Sequence, residues 1–413
     1  MFKKLVHNRT FLVTSALALS ILFLEQCIQK GETPKTSAAK KFTFKDYAGS
    51  QVCATCHKDI YKEHLQTFHN LTSALSTEQN IKGSFKRPSN RFYFKPYLYI
   101  DVEQKDSGIF QTAYQRGIEK ISRRFDFVVG SGKRGQTFLY WYDKYIFQLP
   151  LTYFTATKEW TNSPGYSNKV EFNRPITARC LECHSTYFQE ETKSSSKADE
   201  FSRTNYILGV GCEKCHGPAA GHVAYHVKNT TDTSGKFIIN PAKFAKEQSL
   251  DLCRSCHGGR LSKIQSSFSF MPGDKLADYY NLDSAITNLS DIDVHGNQYG
   301  MLSASKCFKN SNMTCLTCHN PHTNEINSIA AFAEKCITCH SNIKKLCKLS
   351  GSTEADFLKK NCIDCHMPEQ ESKTIMVLRQ GESIPTSATM RSHFISVNQD
   401  ISKFVLQQKN RKK

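Results

Sequence analysis

Seven times this chain writes Cys-x-x-Cys-His: Cys53, Cys56 and His57; Cys180, Cys183 and His184; Cys212, Cys215 and His216; Cys253, Cys256 and His257; Cys315, Cys318 and His319; Cys336, Cys339 and His340; Cys362, Cys365 and His366. Two thiols three positions apart lie within one helical turn, close enough to form thioether bonds to both vinyl groups of a single porphyrin. The adjoining imidazole then reaches the iron as an axial ligand. Chance does not produce the pattern: with 15 His in 413 residues, a His after all seven pairs has a probability on the order of 10⁻¹⁰. A zinc site would join two Cys-x-x-Cys pairs per ion and has no need of a His after each. A thioredoxin-like dithiol would be a single motif in a βαβ setting. The residues therefore predict haem c, seven groups, covalently attached.

The second axial position separates a carrier from a catalyst. An iron with two His ligands is saturated and only exchanges electrons, whereas an iron with a vacant position can bind a small molecule. Outside the motifs and His7, the chain offers His64, His69, His222, His226, His295, His322 and His393, seven candidates for seven irons. That equality favours two His on every iron, but spacing weakens it. If helical, His64 and His69 point about 140° apart. His222 and His226 share one face with roughly 6 Å between side-chain origins, crowded for two separate porphyrins. For His64, His226 and His295 the alternative role is a surface position or a hydrogen bond to a ligand or propionate, which leaves one or two irons open. Met271, Met301, Met313, Met367, Met376 and Met390 read as apolar packing. Cys307 and Cys347 belong to no motif and are expected to pair as a disulfide in an oxidising compartment.

The elements that must position these residues divide unevenly. One motif lies in a first haem segment, 46–85, and six crowd into a cytochrome domain, 176–395, at about 31 residues per haem between 180 and 366. The expected fold is a mainly α and irregular multihaem cytochrome c, whose porphyrins supply apolar volume and whose 27 Phe and 17 Tyr pack against them. Between the two zones, 86–175 reads as a β-rich, haem-free insert. Phe92, Phe94, Leu98, Ile100 and Val102 fall on one parity, with Arg91, Tyr93, Lys95, Tyr97 and Asp101 on the other. Phe125, Phe127 and Val129 repeat the alternation. Gly130 to Gly135 matches G-x-G-x-x-G, but β-branched and aromatic residues follow where a phosphate-binding helix would begin, so the string is read as a hairpin turn.

Covalent haem attachment of this kind belongs outside the cytoplasm, and residues 1–27 look like the matching address. Lys3, Lys4 and Arg9 precede an uncharged run of 14 residues, Phe11 to Leu24, which suits a signal peptide better than a membrane span of about 20. Cys27 follows as the expected acylation site of a lipoprotein, ahead of a polar linker, 28–45. The mature chain is thus expected in the periplasm or at an outer-membrane face. The formal charge of +18 would ordinarily suggest nucleic acid. Seven haems with ionised propionates lower it to about +11 oxidised or +4 reduced, so no nucleic-acid partner is expected. A basic tail, 396–413, closes the chain.

The residues also resemble a family: multihaem cytochromes with a cytochrome c-554 type domain, that of the nitrifier tetrahaem cytochrome which partners hydroxylamine oxidoreductase. The resemblance is carried by Gly49 to His69, Ser163-Pro164-Gly165-Tyr166, and Arg174-Pro175-Ile176 leading into Cys180. It continues through Gly211 to Pro218 with His222, Thr314 to His322, and Asn361 to Pro368 with His393. It implies that His69, His222, His322 and His393 are distal ligands contributed across haems, and that the chain moves electrons. The seven motifs and the β-rich insert depart from the tetrahaem relative. The preferred reading is a heptahaem carrier relaying electrons through closely spaced, mostly bis-His haems, with no catalytic residue assigned. Its redox partners would include a membrane-bound quinol-oxidising or terminal reductase complex. The alternative is an oxidoreductase acting on a small nitrogen or sulfur compound at one five-coordinate haem.

Overall fold

The computed structural model describes residues 42–166, 168–191, 198–282, 289–324, 329–341 and 355–411. Residues from Lys41 onward form one compact unit. The expected export signal and Cys27 lie outside the described residues, as does Cys347, and with it the expected pairing of Cys307.

Strand β1 (Ser73–Leu75) precedes an antiparallel meander built from the predicted alternation: β2 (Arg91–Lys95), β3 (Leu98–Lys105), β4 (Gly108–Gln115) and β5 (Ile118–Arg124). A second, seven-stranded sheet joins β1 to β6 (Phe127–Val129), β7 (Gly135–Tyr142), β8 (Tyr145–Gln148), β9 (Leu151–Phe154), β10 (Glu159–Asn162) and β11 (Arg174–Pro175). Inward residues of both sheets, Phe92, Ile100, Val102, Phe138, Leu149 and Trp160 among them, share one apolar core. The glycine string is the expected hairpin, because β6 and β7 pair antiparallel with Val129 opposite Thr137. Gly130 has φ 102°, and a Cβ there would meet the Gly135 carbonyl oxygen at 2.7 Å, so both space and backbone demand glycine.

Asp101 departs from the parity reading. It lies on the outward face of β3 yet is fully buried. Arg91 grips its carboxylate through two bonds of 2.6 and 2.7 Å, and Arg87 adds a third at 3.0 Å. The Arg91 guanidinium also lies over the Tyr99 ring, 3.7 Å from its centroid. The aspartate bond holds Arg91 above its ordinary value despite the opposing effect of burial. A charge survives in this sheet because it is paired and stacked.

The fold is not mainly α: about 31% is helix and 27% strand. The expectation failed because strands continue past 175. β12 (Ser185–Glu190) and β13 (Phe201–Leu208) form a hairpin directly after the second motif. β14 (Ser262–Lys263) pairs with β15 (Tyr280–Asn281), and β16 (Glu369–Val377) pairs with β17 (Thr386–Arg391) just after the seventh motif. These strands are stabilised by tertiary packing rather than local pattern. Phe188 and Phe201 pack with Phe127, Leu139 and Ile146 from the large sheet, and Ala178 and Leu181 of the second motif's helix join them. Val377 and Ala388 pack on Phe154, and Arg379 reaches Glu159 at 2.9 Å. The large sheet thereby holds both the second motif and the hairpin that follows the seventh. Replacing Asp101 with Ala should destabilise the folded chain by about 3–5 kcal/mol, because Arg91 is left buried without its counter-charge; chemical denaturation measures it, and a loss below ~1 kcal/mol contradicts the clamp.

Candidate haem-binding site

Each motif sits on a short helix or turn. The helices are Ser50–Cys53, Ala178–His184, Cys212–His216, Lys246–His257, Ile329–Cys339 and Cys362–His366, with a 3-10 turn at Cys315–Thr317. All seven open onto one continuous cavity of about 4110 Å³, whose lining contains every motif cysteine, every motif histidine and all seven further candidates, His64, His69, His222, His226, His295, His322 and His393. Per motif this is about 590 Å³, inside the roughly 300–1,000 Å³ of pockets that enclose ligands of comparable size. Nine Lys and Arg line it against five Asp and Glu, which suits ionised propionates. Among the described residues no group of three or more His, Cys, Asp or Glu converges as a metal cage. The donors are instead distributed along the wall in motif-sized sets, as porphyrins require.

Several imidazoles stand at a spacing that two ligands of one metal would have. An imidazole nitrogen binds a metal at about 2.0–2.1 Å, so two rings trans across one ion hold their centroids roughly 6 Å apart. Three motif histidines face a distal candidate at that separation: His216 and His322 at 6.0 Å, His257 and His69 at 6.2 Å, His319 and His393 at 6.2 Å. His295 lies within electrostatic reach of His184. The Nδ1 atoms of His216, His222 and His366 bond the carbonyls of Ile239, Lys236 and Ser396 at 2.8 to 2.9 Å, and His257 Nδ1 bonds Gln298 at 3.1 Å. Such a bond turns the other ring nitrogen into the lone-pair donor. Burial depresses His69 and His393 to about 4, with His257 and His319 adding repulsion, so both rings are neutral at physiological pH.

Two candidates behave differently. His64 ends the helix Lys58–His64, and His69 lies beyond it, so the two do not share one helix. His64 is buried, not a surface residue; its ring donates to the Val210 carbonyl and faces the His216 and His322 pair. His222 and His226 share the helix Ala220–Lys228 as expected, with ring centroids 4.5 Å apart, too close to bracket an iron. The His226 Nε2 is buried without a partner.

Sequence reasoning missed two carboxylates inside the motifs. Glu213, between Cys212 and Cys215, is buried and accepts the backbone N–H groups of Ala48, Gly49 and Ala219 at 2.8 to 2.9 Å. It ties the approach to the first motif onto the third. Glu182, between Cys180 and Cys183, accepts Phe268 N–H at 2.7 Å and pairs with Lys263 at 3.2 Å. Its neighbour Arg179 donates to the Ser255 carbonyl at 2.8 Å, joining the second motif to the fourth. An acidic residue inside a Cys-x-x-Cys was the available signal.

The motif cysteines also meet across motifs. Cys53 lies beside Cys212, Cys183 beside Cys256, and Cys253 beside Cys315. Cys336 lies near Cys362 and Cys318. Corresponding helices touch: Ser50–Cys53 with Cys212–His216, Ala178–His184 with Lys246–His257, and Ile329–Cys339 with Cys362–His366.

Residues 152–217, which include the second and third motifs, match the family model for cytochrome c554 and c-prime. Taken with the cavity and its paired imidazoles, that match decides the class. The chain is a multihaem c-type cytochrome. It is 27% identical over 160 residues to the C-type polyheme cytochrome OmcC of Geobacter sulfurreducens, covering 34% of this chain and 20% of that one. This cytochrome thus matches about a fifth of that relative's length. Its fold resembles the crystal structure of the outer cell wall cytochrome OcwA, with TM-score 0.53, 16% identity, and coverage of 87% of this chain and 81% of that one. An undecaheme cytochrome from the S-layer of Carboxydothermus ferrireducens aligns at TM-score 0.37 and 16% identity, covering 72% and 43%.

The depressed imidazoles give the pH behaviour its sign. Their folded values lie below the ordinary 6.5, so the contribution of the neutral rings is full above pH 6.5 and drains as pH falls toward 4.

Proposed function

We propose that this chain is an exported heptahaem electron-transfer protein that relays electrons along a branched row of contacting haems. One observation carries the reading: all seven motifs and all seven further histidines line a single continuous cavity. Fourteen thioether sulfurs and up to fourteen imidazoles are thereby brought to one interior. A haem between two imidazoles cycles between ferric and ferrous with little change in coordination, which suits rapid electron exchange.

Ring spacing and helix contacts support one particular row. His69 completes the iron of His257, His322 that of His216, and His393 that of His319. His295 serves His184, its electrostatic neighbour. His222, whose Nδ1 is satisfied by Lys236, serves His57, since its helix packs on residues 44–46 just ahead of the first motif. His64 and His226 position their neighbours rather than ligate. The cysteine contacts make the fourth motif the node: Cys183 approaches Cys256, Cys315 approaches Cys253, and Cys215 lies near Cys256. Three arms leave it, toward the first motif through the third, toward the second, and toward the seventh through the fifth and sixth.

Export is supported by the motif chemistry and by the likeness in fold to OcwA, a cytochrome of the outer cell wall. Acylation at Cys27 would hold the chain at a membrane surface in the periplasm or on the outer membrane. Among the described residues no helix is long and apolar enough to cross a membrane. The partners on this reading are redox proteins, with a membrane-bound quinol-oxidising or terminal reductase complex as donor or acceptor.

Intact mass of protein matured in a host with the attachment machinery should exceed the polypeptide by seven porphyrins; a colourless product of unmodified mass overturns the reading. Replacing Cys253 and Cys256 with Ser should remove one haem and split stopped-flow reduction into separated phases. The same change at Cys362 and Cys365 should shorten one arm and leave the remaining haems reducing together. Indistinguishable kinetics in the two variants would sink the node.

A further inference from the structure

The histidine pairing accounts for some irons and leaves others short. The described residues contain every histidine of the chain except His7. His69, His322 and His393 each face a motif histidine about 6 Å away, and His295 neighbours His184. The three that remain all lie toward the N-terminal arm. His222 and His226 stack on each other beside Tyr225, in a helix packed on residues 44–46. His64 is bonded to Val210 and faces a pair already matched.

The sixth and seventh motifs occupy the opposite arm. Their helices, Ile329–Cys339 and Cys362–His366, pack on each other, and the terminal helix Gln399–Arg411 packs on the latter. His366 is held from behind by the Ser396 carbonyl at 2.8 Å, so its other nitrogen addresses the cavity, and His340 is bared to the same space. Among the described residues, no second imidazole stands opposite either. Methionines do not replace it: Met313 packs with Leu250, Leu302 and Phe308, Met390 with Phe154 and Val377, and Met301 is buried under Ser392. Met367 adjoins His366 in sequence and so lies on the wrong side of the same haem. Lys335 and Lys403 are on the cavity wall in this arm, and Arg391 beside the seventh motif is paired with Asp364 at 2.9 Å.

We infer that the two irons carried by His340 and His366 have a single protein ligand each and bind small exogenous donors, of the diatomic or small-anion class, at the end of the C-terminal arm. This rests on the haem reading above. Of the other five, the irons of His216, His257 and His319 have an imidazole facing the motif histidine at about 6 Å, and on the reading above His295 and His222 complete those of His184 and His57. A wire that ends in open irons can pass electrons directly to a bound small molecule as well as to a docked protein.

The test uses the full haem-loaded chain, and intact mass first establishes that seven porphyrins are attached. Carbon monoxide titration of the reduced protein should then saturate at two per chain, and electron paramagnetic resonance of the oxidised protein should show two high-spin ferric irons beside five low-spin ones. Cys336→Ser with Cys339→Ser should lower the mass by one porphyrin and carbon monoxide uptake by one. Seven haems that are all low-spin and take up no carbon monoxide would overturn this inference while leaving the electron-transfer reading intact. So would a count other than two, or unchanged uptake after loss of the sixth haem. A mass short of seven porphyrins would instead overturn the reading on which it rests.

Discussion

The haem region must fold around volume that does not belong to the polypeptide. It surrounds a continuous space of about 4110 Å³, and the chain there forms short helices, single turns and small hairpins rather than layers that close on themselves. Apolar burial normally comes from side chains meeting side chains. Here a large share must come from side chains meeting porphyrin, with covalent thioethers fixing where each ring sits. The walls therefore depend on polar clamps to hold their shape: Glu213 bonded to three backbone N–H groups, Glu182 between Phe268 and Lys263, and Arg179 reaching across to Ser255.

The sheets solve the same problem from the other side. They contain a conventional apolar core of Phe, Ile, Val and Trp side chains and do not need a cofactor to complete it. Because Ala178 and Leu181 are buried against Phe127 and Ile146, the helix of the second motif is mounted on that rigid body. The C-terminal hairpin is mounted on it again through Phe154, Val377 and Ala388. An insert that looks dispensable for haem binding is thereby a frame against which distant parts of the haem region are registered.

What could be read from the residues alone follows from how local each signal is. The five-residue motif is complete in itself, so seven candidate attachment points could be named from the residues, and the strand alternation from Phe92 to Val102 and the hairpin at Gly130 were legible as well. The buried state of Asp101 was not, because it depends on Arg87 and Arg91 arriving from another turn of chain. Nor were the hairpins at Ser185 and Glu369, whose aromatic and small residues become strands only against a sheet formed elsewhere. The distal histidines fall between these cases. Their number was legible and their pairing was not, since His322 meets His216 across more than a hundred residues of chain.

Counting ligands differs from pairing them, and the C-terminal arm turns on that difference. Seven candidates for seven irons favour two imidazoles on every iron, and the spacing of His64 with His69 and of His222 with His226 already weakens that equality. Geometry removes the equality, because His222 and His226 crowd a single position at 4.5 Å and His64 is bonded to Val210 beside a pair that already has both members. The surplus is at the N-terminal arm and the deficit at the other. A histidine cannot be exchanged between arms without moving the elements that hold it, and those are fixed by backbone bonds such as Val210 N–H to the His69 carbonyl at 2.9 Å and by the cap that Glu213 gives Ala219. On the proposed reading, the distribution of coordination along the chain of haems is therefore set by the clamps between motifs rather than by the number of histidines the chain contains.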